Sequence, residues 1–112
     1  MINLVTTAAL DTAFNNLKTK RTALFDAAKE RAAAQANLEV FQAEKTNEGL
    51  AGSNKEQREA NLFVLSADLQ AKLMDTETVY KQAALDWELA EIEVNRIKYA
   101  IRLASIAAVI DE

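Results

Sequence analysis

Residues 47–54 read NEGLAGSN and contain both glycines of the 112-residue chain. The chain has no proline, so this stretch carries the strongest signals for a reversal of chain direction. Gly49 suits the left-handed residue that follows a helix. A short connection between two helices makes them antiparallel neighbours. The sequence therefore predicts one all-α, coiled-coil-like hairpin, with a helix at about 6–47, a turn at 48–54 and a helix at about 55–111.

Composition favours long helices that associate. Half of the residues are apolar, but aromatic residues make up only 6% of the chain and much of the apolar content is alanine. Alanine buries little area, and a thin core makes a marginal monomer. We therefore expect the helices to gain burial by assembling into a helical-bundle oligomer.

The residues after Gly52 predict how the second helix begins. Ser53 and Glu56 have the spacing of a capping box, in which each side chain binds the backbone N–H of the other residue. Asn54 with Gln57 makes an equally good cap one residue later.

Arg58 lies in the first turns of this second helix, near the positive end of its dipole, which disfavours a cation. We expect an arginine in this position to have a partner. Glu44 and Glu48 are within range across the turn, and a group on another protein is the alternative.

A row of apolar and small residues runs through the second helix with alternating steps of four and three, as in a coiled coil. The row consists of Leu62, Ser66, Leu69, Leu73, Thr76, Tyr80, Ala83, Trp87, Ala90, Val94, Ile97, Ile101, Ala104 and Ala108. The hairpin core is predicted to come from its larger members, Leu69, Leu73, Tyr80, Trp87, Val94, Ile97 and Ile101. A break of this helix at Asp75–Thr78 is an open alternative, because these residues could cap a new helix.

The first helix has a less regular buried face, predicted to comprise Leu10, Phe14, Leu17, Leu24, Ala28, Ala32, Leu38 and Phe41. Arg21, Arg31 and Gln35 interrupt a strict heptad on this helix. A hairpin folded at residue 50 or 51 would set residue i opposite residue ~101 − i. In that register the second helix extends past the start of the first from about residue 97.

A second apolar line lies on the opposite side of the second helix and is predicted to mediate self-association through Leu85, Leu89, Ile92, Tyr99, Leu103, Ile106 and Ile110. Arg96 interrupts this line. An apolar patch of this length rarely remains in water. A second copy, giving a dimer or a tetramer, is the leading candidate to cover it, and Met1–Val5 and a foreign protein are the alternatives.

The composition argues against an enzyme, a cofactor site and a metal site. The chain has neither Cys nor His, which removes thiol nucleophiles, zinc-finger ligands and the usual catalytic triads. Glu88, Glu91 and Glu93 invite comparison with helical di-iron sites, but those sites pair glutamate with histidine. We therefore interpret the three glutamates as a solvated acidic face.

The net charge of −4 argues against a nucleic-acid partner, because phosphate binding needs clustered Lys and Arg. The N-terminus does not have the pattern of a signal peptide. No stretch approaches the ~18 apolar residues of a membrane span. We therefore expect a cytoplasmic protein that has no membrane contact.

The turn region resembles a motif in small helical proteins encoded by phages and prophages. In that family a glycine-containing turn is followed by Asn, then an Arg-Glu or Arg-Asp pair and Ala, and here residues 52–60 read GSNKEQREA. The similarity covers mainly residues 48–104. It implies a phage or prophage origin, a location in the host cytoplasm and a protein-binding role rather than an enzymatic one.

Protein binding with self-association is the leading functional hypothesis, and two alternatives remain open. The first is inhibition of a host defence protein through the acidic face of Glu88, Glu91 and Glu93. The second is an accessory role in DNA replication or recombination, in which a small basic cluster would contact DNA through Arg96, Lys98 and Arg102, beside Tyr99.

Overall fold

The structure is a computed structural model that describes residues 4–111 and the side chains of residues 7–109. It contains three helices, α1 (Leu4–Glu48), α2 (Lys55–Leu65) and α3 (Ala67–Asp111), and the described residues form no strand. The chain divides into two compact units. We call Met1–Phe25 with Gln82–Glu112 the terminal unit, and Asp26–Lys81 the turn unit. The predicted all-α fold is confirmed.

Within the terminal unit, α1 and α3 pack antiparallel, but not in the predicted register. The Lys98 ammonium lies 5.3 Å from the centre of the Phe14 ring, and the Arg21 guanidinium lies 5.2 Å from the centre of the Trp87 ring. The predicted register would have placed Phe14 opposite Trp87, so it is wrong by two to three helical turns.

The turn unit explains this difference. Here the Arg31 guanidinium lies 4.0 Å from the Tyr80 ring, whereas the predicted register would have set Arg31 opposite Gln70. The side-chain amide of Asn61 donates to the Ala51 carbonyl, so the turn runs back along the first turns of α2. The reversal therefore uses part of α2 as well as the glycine-containing stretch.

The buried face of α1 is more regular than predicted. Steps of three and four connect all but two of its buried and half-buried positions, Ala28 and Gln42. The series runs through Leu10, Ala13, Leu17, Lys20, Leu24, Ala27, Arg31, Ala34, Leu38, Phe41 and Lys45. Phe14 and Ala32 belong to the predicted face, yet both are exposed. The prediction failed because it treated Arg31 as an interruption, whereas a long cationic side chain can bury its stem at such a position.

The core of the terminal unit consists of Ala13 with Val94 and Ile97, against which Leu10, Leu17 and Ile101 pack. Val94 is 3% exposed and Ile97 is 7% exposed. The expectation that α3 extends past α1 from residue 97 is therefore wrong, because Ile97 and Ile101 pack against α1. The other residues predicted for the hairpin core are half-buried, namely Leu69, Leu73, Tyr80 and Trp87.

Ser66 separates α2 from α3, so the single helix predicted over residues 55–111 is wrong. Its side chain is fully buried, and its hydroxyl donates to the Leu62 carbonyl at 2.8 Å and accepts from the Gln70 amide at 2.8 Å. A serine that binds the carbonyl four residues earlier tends to bend a helix. The alternative break at Asp75–Thr78 does not occur, because these residues lie inside α3.

The start of α2 follows the second of the two predicted caps. The Asn54 side chain accepts from the Gln57 backbone N–H at 2.8 Å. The Gln57 side chain in turn accepts from the backbone N–H and the hydroxyl of Ser53, at 2.8 Å and 2.7 Å. Because these bonds engage Ser53, the predicted capping box between Ser53 and Glu56 is not formed.

Arg58 has no ion pair among the described residues, so the expected pairing with Glu44 or Glu48 is wrong. Glu48 instead binds Lys45 at 3.3 Å, one helical turn away on α1. Close pairs on the same helix need no ordering of a second segment, which favours them over a contact across the turn.

The backbone requires glycine at positions 49 and 52 for different reasons, so alanine should destabilise the protein to a different extent at each position. Both have positive φ, of 95° at Gly49 and 139° at Gly52. A Cβ atom at Gly49 would meet open space, whereas one at Gly52 would lie 2.9 Å from the backbone nitrogen of Arg58. Gly52→Ala should therefore lower the free energy of unfolding by about 2–3 kcal/mol, and Gly49→Ala by about 1 kcal/mol.

Urea unfolding followed by circular dichroism, at one fixed protein concentration, measures both values. An equal loss in the two variants would contradict the close approach of Gly52 to α2.

The stacking of Arg31 on Tyr80 should also be measurable. Arg31→Met keeps an unbranched side chain at the heptad position but removes the cation, so we expect a loss of about 0.5–2 kcal/mol in the free energy of unfolding. Arg58→Met is the matched control, since it removes an exposed arginine without an ion pair and should change stability by less than about 0.5 kcal/mol. Equal stability of the two variants in the same urea titration would exclude a stabilising role for the stacking.

Candidate interaction surface

The described residues leave more large apolar side chains in water than they bury. Five of the eight buried hydrophobic residues are alanines, and the large ones are Leu38, Val94 and Ile97. Fifteen large hydrophobic side chains are exposed. Single exposed apolar residues are normal, but a contiguous group of them marks a binding surface.

The longest such group lies along α3 in the terminal unit, and we call it the outer face. Its described members are Leu85 (47% exposed), Leu89 (54%), Ile92 (62%), Tyr99 (64%), Leu103 (64%) and Ile106 (50%). Steps of four and three connect them, with Arg96 at the one position of the series that is not apolar. They therefore share one side of the helix. The core residues Val94, Ile97 and Ile101 lie on the other side of α3.

Six of the seven residues predicted for self-association thus lie together on one exposed face. Ile110 falls outside the residues whose side chains the structure describes. Of the segment Met1–Val5, proposed as an alternative cover, residues 1–3 lie outside the described chain. Leu4 and Val5 form the start of α1.

Arg96 lies within the outer face, and its charge is neutralised by Glu93. Its guanidinium donates two hydrogen bonds to the Glu93 carboxylate, at 2.6 Å and 3.0 Å. These hydrogen bonds lower the pKa of the Glu93 carboxyl and raise the pKa of Arg96. Both groups stay ionised at neutral pH, so the pair interrupts the apolar line without adding net charge.

One edge of the outer face carries a negative charge at one end and a positive charge at the other. Glu88 lies beside Leu85, Leu89 and Ile92, whereas Arg102 lies beside Tyr99 and Ile106 on the same edge. Both side chains are exposed, and neither forms an ion pair within the described part of the chain. One edge is therefore acidic toward residue 88 and basic toward residue 102.

The basic cluster predicted near the C-terminal end does not act as a free group of cations. Arg96 binds Glu93, and the Lys98 ammonium lies over the Phe14 ring. Arg102 is the member of the cluster whose charge remains without such a contact among the described residues.

The acidic face is compensated in part. Glu93 is paired with Arg96, and Glu91 lines a surface cavity together with Lys18, Arg21 and Trp87. Glu88 is exposed and lies on the edge of the outer face. The described carboxylates also form no group of three that could hold a metal ion.

A smaller exposed apolar group belongs to the turn unit. Phe63, Val64 and Leu65 follow one another at the end of α2 and are 63%, 71% and 55% exposed. Consecutive residues point to different sides of a helix, so these three do not form one stripe. The outer face of α3 is longer and lies on one side, which makes it the stronger candidate.

No protein-family model matches this chain, and no curated protein and no solved structure shows significant similarity to it. The described parts of α1, α2 and α3 include no segment with the length and apolar character that crossing a bilayer requires.

Proposed function

We propose that this protein is a non-enzymatic helical hairpin that acts by protein–protein binding, and that its outer face on α3 binds a second copy of the chain. The observation that carries the proposal is the outer face itself, with six large apolar side chains between 47% and 64% exposed on one side of one helix. A continuous stripe of this kind is the usual recognition element of helical assemblies.

The energy available at this face is comparable with the cost of association. Burying a large apolar side chain completely contributes ~1.5–3 kcal/mol, and about half of that remains to be gained at each position. Six side chains from each of two copies would supply on the order of 10 kcal/mol. Association itself costs about 4–15 kcal/mol, so the outer face offsets this cost in the lower half of that range.

The two other functions have less support from the geometry. A DNA-binding role would use Arg96, Lys98 and Arg102, but two of these three cations have partners inside the chain. A role for the acidic face in binding a host protein would use Glu91 and Glu93, which lie next to arginines of the same chain. Neither surface is as extensive as the outer face.

The resemblance of residues 52–60 to phage and prophage helical proteins extends the proposal to a phage-derived protein of the host cytoplasm. This part of the proposal is separate from the association, because the motif lies in the turn unit and the outer face lies in the terminal unit. The genes that neighbour the coding sequence provide its test.

Sedimentation velocity tests the association directly. The unmodified protein should sediment as a dimer or a tetramer, and Leu89→Glu or Leu103→Glu should each yield a monomer, because a buried carboxylate opposes the apolar contact. Circular dichroism should show unchanged helix content, since both positions lie opposite the core. Val40→Glu is the matched control, because Val40 is 58% exposed on α1 and belongs to the turn unit rather than to the outer face.

The control variant should keep the mass of the unmodified protein. A monomeric unmodified protein would show that the outer face does not bind a second copy.

A further inference from the structure

We infer that the two copies pair antiparallel through their outer faces, about a two-fold axis at the level of residue 94, with Glu88 of each copy bound to Arg102 of the other. This inference rests on the proposed self-association and adds the orientation and the register. It is carried by three charged features of the outer face, namely Arg96 in its centre, Glu88 at one end and Arg102 at the other.

Arg96 disfavours the parallel arrangement. In a parallel pair, each residue in the centre of the face meets its own counterpart, so the two Arg96 guanidiniums would face each other in an apolar layer. Like charges in such a position oppose association, and polar residues inside a stripe are known to set helix orientation. An antiparallel pair instead sets each Arg96 opposite an apolar residue of the other copy.

The charges on the edge of the outer face also favour the antiparallel arrangement. In a parallel pair, Glu88 would approach Glu93 of the second copy, which lies on the facing edge five residues further along. In an antiparallel pair, each edge meets the same edge of the second copy running in the opposite direction. The acidic end of one copy then meets the basic end of the other, and the two symmetric contacts join Glu88 to Arg102.

The pairing of Glu88 with Arg102 sets the register. It places the two-fold axis between Ile92 and Arg96, and the apolar layers become Leu85 against Leu103, Leu89 against Tyr99, and Ile92 against Arg96. The Glu93–Arg96 pairs of both copies then meet at the axis. Each Glu93 lies between two arginines there, so its proximity to the second Glu93 is compensated.

A shift by one heptad is the competing antiparallel register. It would join Leu89 to Ile106 and Ile92 to Leu103, which also gives apolar layers. However, it would set Glu88 opposite Val109 and Arg102 opposite Asn95. Both exposed charges of the edge would then lose their complement, which is why we favour the first register.

Charge exchange tests the pairing. Arg102→Glu and Glu88→Arg should each raise the dimer dissociation constant about 10–30-fold, because two attractive contacts become repulsive. The double variant should recover the value of the unmodified protein to within about threefold. Arg58→Glu is the control, since it changes the net charge as Arg102→Glu does but lies in α2, and it should leave the constant unchanged.

Spin labels test the orientation and the register independently. The chain has no cysteine, so Ala107→Cys introduces a unique attachment site on an exposed position. Residue 107 lies 13 positions beyond the axis on each copy, which separates the two labels by about 39 Å along the helices. The shifted register gives about 28 Å, and a parallel pair gives roughly 10 Å.

The outcomes separate the two proposals. A monomeric unmodified protein overturns both. A dimer that Leu89→Glu dissociates, but whose double charge variant stays weakened or whose labels lie at the shorter distances, upholds the outer face as the interface and overturns this arrangement. Recovery in the double variant, together with the longest label distance, establishes it.

Discussion

Alanine at the buried heptad positions is the constraint on which the rest of the structure depends. Ala13, Ala27 and Ala34 of α1 and Ala83 and Ala90 of α3 make up most of the buried hydrophobic residues. Small side chains allow a close approach of packed helices, but each removes little apolar surface from water. The hairpin therefore closes with a thin core, and most of its large apolar side chains remain on the outside.

Cations of α1 lie over the aromatic side chains that α3 presents to it. Where α3 presents Tyr80 and Trp87, α1 presents Arg31 and Arg21, with guanidiniums 4.0 Å and 5.2 Å from the ring centres. An arginine can lie over an aromatic face while its charge stays near water, which adds a cation–π contact to the packing of its stem. The aromatic side chains are thus covered at the margin of the interface by charged side chains.

The heptad of α3 could be predicted from the sequence because its core positions, from Leu69 to Ile101, are apolar or small. That of α1 could not, since Lys20, Arg31 and Lys45 occupy heptad positions and a search for apolar residues passes over them. The register required knowledge of how the turn runs along α2, which depends on the contact of Asn61 with Ala51. The exposed stripe on α3 was predictable from spacing alone. The ion pair in which Glu93 neutralises the charge of Arg96 within that stripe could be seen only in the structure.

The chain contains two tyrosines, one inside the hairpin and one on the outer face. Tyr80 is half-buried against Arg31 in the turn unit, and Tyr99 is 64% exposed on the outer face. Ring-labelled tyrosine should therefore give two sets of NMR signals. If a second copy covers the outer face, dilution of the protein shifts the Tyr99 signals and leaves those of Tyr80 in place. If both sets stay unchanged while the protein is shown to be monomeric throughout the dilution, the outer face is not covered by a second copy, and the account is wrong.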